Sequence, residues 1–228
     1  MSAKPKGERG MLVTGFQCYG GRALNPAEEL VKALDGSVIA GERVRGIGMP
    51  VDYRRLGPSI AAAVEETRPR AVIAFGLWPA EPVIRLERVA VNIADFEIGD
   101  NQGLVAREPV VEGGPPAYLS TLPLYAMQER LLAAGVPCRL SGTAGTFLCN
   151  ALMYHALRVC AERTPAPPCG FVHLPYLPRQ VAWLIRDTAE EARLELHQRA
   201  DLASMSLETM LEGARLAIEV ALEHAPPR

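Results

Sequence analysis

The sequence of 228 residues has no long apolar run, no excess of charge of one sign and no cysteine pattern typical of secreted proteins. No window approaches the roughly 20 uninterrupted apolar residues that a membrane-spanning helix needs, and no apolar signal segment follows the charged start. The 24 Lys and Arg side chains nearly balance the 26 Asp and Glu side chains, for a formal charge of −2. We therefore expect a cytoplasmic protein that binds neither a membrane nor nucleic acid.

The five cysteines are an odd number and include no C-x-x-C pair. This pattern argues against a disulfide scaffold and against structural zinc, and it predicts at least one free thiol. The glycine-containing loop at residues 15–21 lacks the G-x-G-x-x-G spacing and the downstream acidic residue of a dinucleotide site. Neither structural zinc nor a bound nucleotide is therefore predicted.

Short β-type runs alternate with longer amphipathic segments in this sequence, and 49% of the residues are hydrophobic. Such alternation favours an α/β layer fold with a full core. We expect a flexible tail at residues 1–10 and a single α/β domain over residues 11–224. Asn25, followed by proline, predicts the N-cap of a helix that runs to about Leu34. Residues 95–116 contain many glycines and prolines and predict a long surface excursion.

Cys149 follows a Gly/Thr turn, at the start of a segment with helical apolar periodicity. With Thr146 as the N-cap, Cys149 falls in the first helical turn, where unpaired backbone N–H groups and the helix dipole favour a thiolate. This placement is typical of a nucleophile. The alternative is a packing role, because apolar residues continue the stripe that Cys149 begins.

A cysteine nucleophile needs a base, and the sequence has only four histidines. His173 lies in an apolar run next to a loop, the usual location of functional groups in an open α/β sheet. The alternative is a hydrogen-bonded core histidine. Glu87 stands at a strand entrance, where a carboxylate can orient an imidazole. The alternative for Glu87 is a solvated strand end.

Six blocks of the sequence follow one another in order: residues 12–16 with Gly20-Gly21 and Asn25-Pro26, then 87–92, 100–101, 113–115, 143–150 and 171–178. Together they resemble the corresponding blocks of pyroglutamyl peptidase I, also called pyrrolidone-carboxylate peptidase. Members of this family are cysteine peptidases that remove an N-terminal pyroglutamyl residue. The resemblance extends across most of the chain.

The resemblance implies Cys149 as the nucleophile, His173 as general base and then acid, and Glu87 as the group that orients the imidazole. It implies a three-layer α/β/α sandwich around a mixed sheet, commonly a homotetramer, so a homo-oligomer (tetramer or dimer) is expected. The implied substrate is a peptide with a blocked N-terminus, cleaved through a thioester, and no metal or cofactor is implied.

The resemblance also implies an apolar slot with few hydrogen-bonding groups for the pyroglutamyl lactam. The residues that match this slot are Phe16, Tyr19, Asn25, Ile98, Phe147 and Leu148. Tyr19 and Leu148 replace the more usual Phe and Val.

Two segments depart from the family pattern. Residues 77–81 read Leu-Trp-Pro-Ala-Glu where the family has Gln-Ala-Gly-Gly-Arg, so Leu77 replaces a substrate-facing amide. Glu97 stands where the family has an arginine near the developing oxyanion, and losing one such donor typically costs about 10²–10³ in kcat.

Three outcomes follow from the missing arginine. Arg85 can act as a compensating cation at the oxyanion, Glu97 can point to solvent, or the slot can accept another acyl group, including a positively charged one. A catalytically impaired homologue that binds a ligand or a partner is the alternative to a peptidase.

Overall fold

The computed structural model describes residues 10–19, 23–79, 81–191 and 202–227, with the side chains of 188–191 excepted. The predicted tail at residues 1–10 lies outside these ranges apart from Gly10. Gly20, Gly21, Ala80 and His197 also lie outside them.

The described ranges contain short strands and mostly longer helices in alternation. The strands are β1 (Met11–Phe16), β2 (Val38–Ile39), β3 (Glu42–Met49), β4 (Ala71–Leu77), β5 (Ile84–Glu87), β6 (Val89–Val91), β7 (Ala94–Asp95), β8 (Arg107–Glu108), β9 (Ala117–Leu119), β10 (Cys138–Ser141) and β11 (Cys169–Leu174). The helices are α1 (Pro26–Leu34), α2 (Tyr53–Thr67), α3 (Leu124–Ala133), α4 (Leu148–Ala161), α5 (Pro178–Glu191) and α6 (Leu207–Glu223). None of these helices is long and apolar enough to cross a membrane.

Seven strands form one mixed sheet in the order β10-β5-β11-β4-β1-β3-β2. The four neighbours β11, β4, β1 and β3 run parallel to one another, whereas β5 runs antiparallel to β11 and parallel to β10. The pairs β6-β9 and β7-β8 form two separate ribbons. The mixed sheet that the resemblance implied is confirmed.

Helices cover both faces of the sheet. Helices α1, α3 and α6 contact one another or the sheet on one face and share one apolar cluster. Helices α2 and α4 pack against each other and against the second face, where they share a second cluster. The expected three-layer α/β/α sandwich is therefore confirmed.

Local signals account for several helix starts. Asn25 caps α1 as predicted, because its Oδ1 accepts a hydrogen bond from the N–H of Ala27 at 3.0 Å. Asp52 caps α2 and Ser206 caps α6 in the same manner. The excursion at residues 95–116 contains the short strand β8 and the end of β7, so it is partly ordered by pairing rather than wholly irregular.

Candidate active site

Three strands place functional positions on one face of the sheet. His173 of β11 pairs in register with Gly76 of β4 on one side and with Arg85 of β5 on the other. Side chains of directly paired residues point to the same face, and so does Glu87, two residues beyond Arg85. Helix α4 covers this face and carries Cys149 as its second residue. The fold therefore brings Cys149, His173 and Glu87 together.

His173 and Glu87 form a hydrogen bond between two buried side chains. The distance from His173 Nδ1 to Glu87 Oε1 is 2.8 Å. A carboxylate only accepts, so Nδ1 carries the hydrogen and Nε2 is left as an acceptor. Nε2 is buried and has no hydrogen-bond partner among the described residues. Burial lowers the pKa of His173 although Glu87 raises it, so the imidazole is neutral near pH 7.

The sulfur of Cys149 occupies the space above Gly76. An added Cβ at Gly76 would stand 2.8 Å from Cys149 Sγ and 2.7 Å from the ring of Phe171. Because Gly76 is the in-register neighbour of His173, this space lies beside the imidazole. The absence of a side chain at Gly76 therefore lets the sulfur approach the imidazole.

Backbone and amide contacts, rather than a threonine cap, fix the start of α4. The N-cap is Phe147, without a side-chain cap, and not Thr146 as predicted. The hydroxyl of Thr146 instead donates to the carbonyl of Asp95 at 2.9 Å. The side chain of Asn150, fully buried, accepts from the N–H of Val91 at 2.8 Å and donates to its carbonyl at 2.9 Å. Sequence reasoning gave Asn150 no role, although it lies inside a matching block.

The thiol of Cys149 is protonated in the resting site. Burial of the sulfur, together with the negative charge of Glu87, raises the pKa of Cys149 to about 12. The sequence predicted a lowered pKa at the helix N-terminus, whereas burial and Glu87 shift the pKa of Cys149 in the opposite direction. Both the thiol and the imidazole are therefore neutral in the resting site, and Nε2 is not hydrogen-bonded to the sulfur there.

A small cavity opens next to the sulfur. It holds about 40 Å³, room for about three water molecules, so it fits a small ring rather than a large side chain. Its walls include five of the six residues predicted for the slot, and Val51, Leu77 and Cys149 complete it. The lining residues are Phe16, Tyr19, Asn25, Val51, Leu77, Phe147, Leu148 and Cys149.

Ile98, the sixth predicted slot residue, does not line this cavity. Its side chain is 57% exposed, and Glu97 beside it is exposed as well. Asp100 anchors the excursion two residues further on, because its carboxylate accepts hydrogen bonds from three backbone N–H groups, including that of Tyr53 at 2.9 Å. Residues 97–98 are exposed beside this anchor, and neither of them lines the cavity.

An aromatic pair supports the wall of the cavity. The rings of Phe96 and Phe147 meet edge to face with centroids 4.6 Å apart, and Tyr53 lies on Phe96 at 5.2 Å. Phe96 is almost fully buried. Its role was missed, although a large apolar residue within a polar excursion was an available signal.

Arg85 lies beside the carboxylate of Glu87 and not at the cavity. Its Nε donates to Glu87 Oε1 at 3.0 Å, and its other nitrogens contact Glu81, Ser141 and Thr143. The guanidinium is almost fully buried and does not line the cavity beside the sulfur. The prediction of Arg85 as a cation at the oxyanion is therefore not supported, because its donors are directed to these other groups.

The remaining titratable candidates lie elsewhere. His155 packs against Gly57 of α2, where burial lowers its pKa to about 4. His224 ends α6, with Nδ1 2.8 Å from the carbonyl of Val220. All five cysteines are free thiols. Among the residues that the structure describes, no three His, Cys, Asp or Glu side chains are grouped so as to hold a metal ion.

Comparison with known proteins identifies relatives along nearly the whole chain. The sequence model of the family described as "Pyroglutamyl peptidase" matches residues 9–224. The chain is 38% identical to the pyrrolidone-carboxylate peptidase of Pyrococcus furiosus, over 93% of this chain and 98% of that protein. It is also 38% identical to the pyrrolidone-carboxylate peptidase of Klebsiella pneumoniae, over 95% and 94% of the two chains.

The fold is likewise similar to a solved structure. The crystal structure of the pyrrolidone carboxyl peptidase of P. furiosus superimposes with a TM-score of 0.84 at 37% identity, covering 93% of this chain and 98% of that one.

The close contact at Gly76 generates the first prediction. In Gly76→Ala, the new methyl group collides with Cys149 Sγ and Phe171, so we expect the hydrolysis of a pyroglutamyl-amide reporter to fall by about 100-fold or more, since a displacement of about 1 Å has a cost of that order. The matched control is Gly142→Ala, because no atom lies within 4 Å of an added Cβ there. Thermal unfolding monitors folding of both variants. Full activity in Gly76→Ala would contradict this account.

The protonated resting thiol is tested by absorbance. A thiolate absorbs far-ultraviolet light more strongly than a protonated thiol. The difference in absorbance between wild type and Cys149→Ser therefore reports the ionisation of Cys149 alone. We expect no thiolate step in this difference between pH 5 and pH 9, because the pKa of Cys149 is raised to about 12. A step below pH 8 would show instead that the helix dipole dominates.

Proposed function

Since this chain belongs to the pyroglutamyl peptidase family, the cysteine peptidases that remove N-terminal pyroglutamate from peptides, we propose that Cys149, His173 and Glu87 are its catalytic residues. One observation carries the proposal. The hydrogen bond from Nδ1 to Glu87 leaves Nε2 buried as an acceptor on the sheet face that also holds the sulfur. A nucleophile, a base and an orienting carboxylate in one row are what acyl transfer requires.

In the first half of the reaction, Nε2 takes the thiol proton as Sγ attacks the pyroglutamyl carbonyl carbon. The imidazolium that forms is stabilised by Glu87, which accepts from Nδ1. The imidazolium then gives its proton to the departing amine as the C–N bond breaks, and a thioester on Cys149 remains. Proton transfer coupled to attack explains how a thiol with a raised pKa reacts near pH 7.

In the second half, water replaces the amine. Nε2 accepts a proton from the water as its oxygen attacks the thioester carbonyl. The proton returns to sulfur when the C–S bond breaks. Pyroglutamate leaves, and the neutral thiol and imidazole are restored.

The first turn of α4 supplies donors for the oxyanion. The first intrahelical hydrogen bond runs from the N–H of Ala151 to the carbonyl of Phe147 at 3.2 Å, so the N–H groups of Cys149 and Asn150 precede it. Phe147 has no side-chain oxygen to cap them. These backbone donors, aided by the helix dipole, take the place of the arginine that the family has near the oxyanion. Loss of one such donor typically costs about 10²–10³ in kcat.

The cavity binds the lactam ring chiefly by apolar contact. Phe16, Leu77 and Leu148 form apolar walls, and Asn25 is its most buried polar residue. Asn25 already accepts from Ala27 and donates to the carbonyl of Gln17 at 3.0 Å, so its amide is rigidly held. A small uncharged acyl group fits this lining better than a charged one.

The alternative of a catalytically impaired homologue has no support. Glu97 is exposed. In the divergent segment 77–81, Trp78 packs against His173 and Glu81 pairs with Arg85, and neither of these two side chains lines the cavity. We further propose that the protein is a homo-oligomer, a tetramer or dimer, and acts in the cytoplasm. Five free thiols suit a reducing compartment, and exposed apolar side chains such as Leu119 and Tyr125 suit contacts between copies.

The function is tested by removing the nucleophile. We expect Cys149→Ala to lower the rate of pyroglutamyl-amide hydrolysis by about 10⁵-fold or more, because loss of a nucleophile that acts as part of a unit removes the covalent route. The matched control is Cys138→Ala, a buried thiol of β10 that packs with the opposite apolar cluster. Hydrolysis by Cys149→Ala at the wild-type rate would contradict the proposal.

Leu77 tests how the cavity recognises the acyl group. In Leu77→Gln, an amide can donate or accept toward the lactam, so we expect kcat/KM for a pyroglutamyl reporter to rise about 2- to 10-fold. A cyclopentanecarbonyl reporter, which has an uncharged five-membered ring without the lactam N–H and oxygen, serves as the comparison substrate and should gain nothing. An equal gain for both reporters would contradict a specific contact.

A further inference from the structure

We propose that Arg85 is a positioning residue of the catalytic row, defined as Cys149, His173 and Glu87. It fixes the Glu87 carboxylate and the turn that precedes the nucleophile helix in one arrangement, and Glu81 and Trp78 hold its guanidinium in place. The inference rests on the proposed function of the row.

The guanidinium of Arg85 joins two parts of the site that are far apart in the sequence. Its Nε donates to Glu87 Oε1, the oxygen that also accepts from His173. Its Nη2 donates to Ser141 Oγ at 2.6 Å and to the carbonyl of Thr143 at 2.8 Å. Ser141 ends β10, and the turn that follows leads directly into α4. One rigid fork therefore connects the orienting carboxylate to the turn before Cys149.

The buried guanidinium has a second carboxylate near it besides that of Glu87, and a buried ion is stable only when it is well paired and hydrogen-bonded. Glu81 supplies this second carboxylate, with Oε2 3.5 Å from Arg85 Nη1 and 2.6 Å from Arg139 Nη2. Arg85 and Glu81 are 6% and 4% exposed, so solvent screens their interaction little. Glu81 thus anchors the guanidinium from the side opposite Glu87.

Trp78 covers both the guanidinium and the imidazole. The centre of the Arg85 guanidinium lies 3.8 Å from the centroid of the Trp78 ring. The same ring meets His173 edge to face with centroids 5.0 Å apart and an interplanar angle of 77°. A single aromatic ring therefore restricts both neighbours of Glu87, and cation–π attraction adds to the hold on Arg85.

The contacts give the divergent segment 77–81 a physical role. Trp78 and Glu81 are two of the residues by which this chain departs from the family pattern, and both lie against Arg85. Glu81 brings a negative charge to the position where the family has a positive one. In this chain the negative charge of Glu81 therefore pairs with the positive charge of Arg85 in β5.

The groups that face His173 make the inference testable by pH. They are Glu87 and Arg85 from β5, Glu81 from the β4–β5 loop and Cys149 from α4. Glu87 and Glu81 raise the pKa of His173, whereas Arg85 lowers it. The base must be neutral, so activity falls as the pH drops through this pKa. Removing the charge of Arg85 should therefore move the acid limb to higher pH, and removing that of Glu81 should move it to lower pH.

The experiment measures kcat, KM and the acid limb of kcat/KM for a pyroglutamyl-amide reporter in Arg85→Met, Arg85→Lys, Glu81→Gln and the double variant Glu81→Gln/Arg85→Met. For Arg85→Met we expect kcat to fall about 10- to 100-fold, because hydrogen bonds to charged groups are lost. KM should stay within about twofold of the wild-type value, because Arg85 does not line the cavity. The acid limbs of Arg85→Met and Glu81→Gln should move in opposite directions.

The remaining two variants separate charge from geometry. The double variant removes both charges, so its acid limb should return toward the wild-type position while kcat stays low. Arg85→Lys keeps the positive charge but loses the planar set of guanidinium donors. Its acid limb of kcat/KM should therefore stay at the wild-type pH, while only part of kcat is recovered relative to Arg85→Met.

The matched control is Arg70→Met. Arg70 forms a comparable pair with Glu42, 2.8 Å apart and 17% and 5% exposed, but it stands before the first residue of β4, at the opposite end of the strand from Gly76. We expect this variant to lose stability and to keep the wild-type kcat and pH profile. If Arg85→Met does not fold, Arg85→Lys and Glu81→Gln decide, with the titration of His173 measured by NMR.

Wild-type kcat in folded Arg85→Met, acid limbs that move in the same direction, or identical behaviour of Arg85→Met and Arg70→Met would each overturn the inference. These outcomes are distinct from failure of the proposed function. If Cys149→Ala loses activity while Arg85→Met keeps it, only the role of Arg85 is wrong. If Cys149→Ala stays active, the row itself is wrong.

Discussion

The hydrogen bond of 2.8 Å between His173 Nδ1 and Glu87 Oε1 is the interaction on which the rest of the site depends. Both side chains are almost completely removed from solvent, so the carboxylate is tolerated only with partners close at hand. The reversed direction of β5 relative to β11 brings Arg85 opposite His173 and Glu87 two residues further along the same face. The mixed sheet is thus tied directly to the chemistry.

The position of Cys149, the proposed nucleophile, depends on what is missing around it as much as on its partners. Gly76 has no side chain, which leaves room for Sγ next to the imidazole. Phe147 has no polar side chain, which leaves the first N–H groups of α4 uncapped. Asn150 then secures the helix start to β6 from the buried side. The proposed nucleophile and the backbone N–H groups proposed as oxyanion donors therefore lie at one helix terminus.

Local signals in the sequence predicted some of these features well. The Asn-Pro start of α1 is a short-range pattern, and the structure confirms Asn25 as its cap. The cysteine was placed correctly in the first turn of α4, although its cap was assigned to Thr146. The family resemblance implied the three-layer sandwich and the convergence of residues 87, 149 and 173, which are too far apart for any periodicity to connect them.

Other features depend on tertiary contacts that periodicity does not reveal. Arg85 lies two residues from Glu87, but only the register with β11 and the Ser141 turn show where its donors point. Ile98 is exposed in an excursion whose path is fixed by backbone hydrogen bonds to Asp100. The raised pKa of Cys149 follows from burial, whereas the sequence displayed only the helix terminus.

The most direct measurement of the central claim is the covalent state of Cys149 during turnover. Wild-type protein is mixed with a pyroglutamyl ester, quenched in acid within the turnover time, digested and mapped by mass spectrometry. The account predicts a pyroglutamyl group on the peptide that contains Cys149, and its loss when quenching is delayed beyond substrate exhaustion. Rapid turnover with an adduct on another residue, or with no adduct under conditions that preserve a thioester, would contradict it.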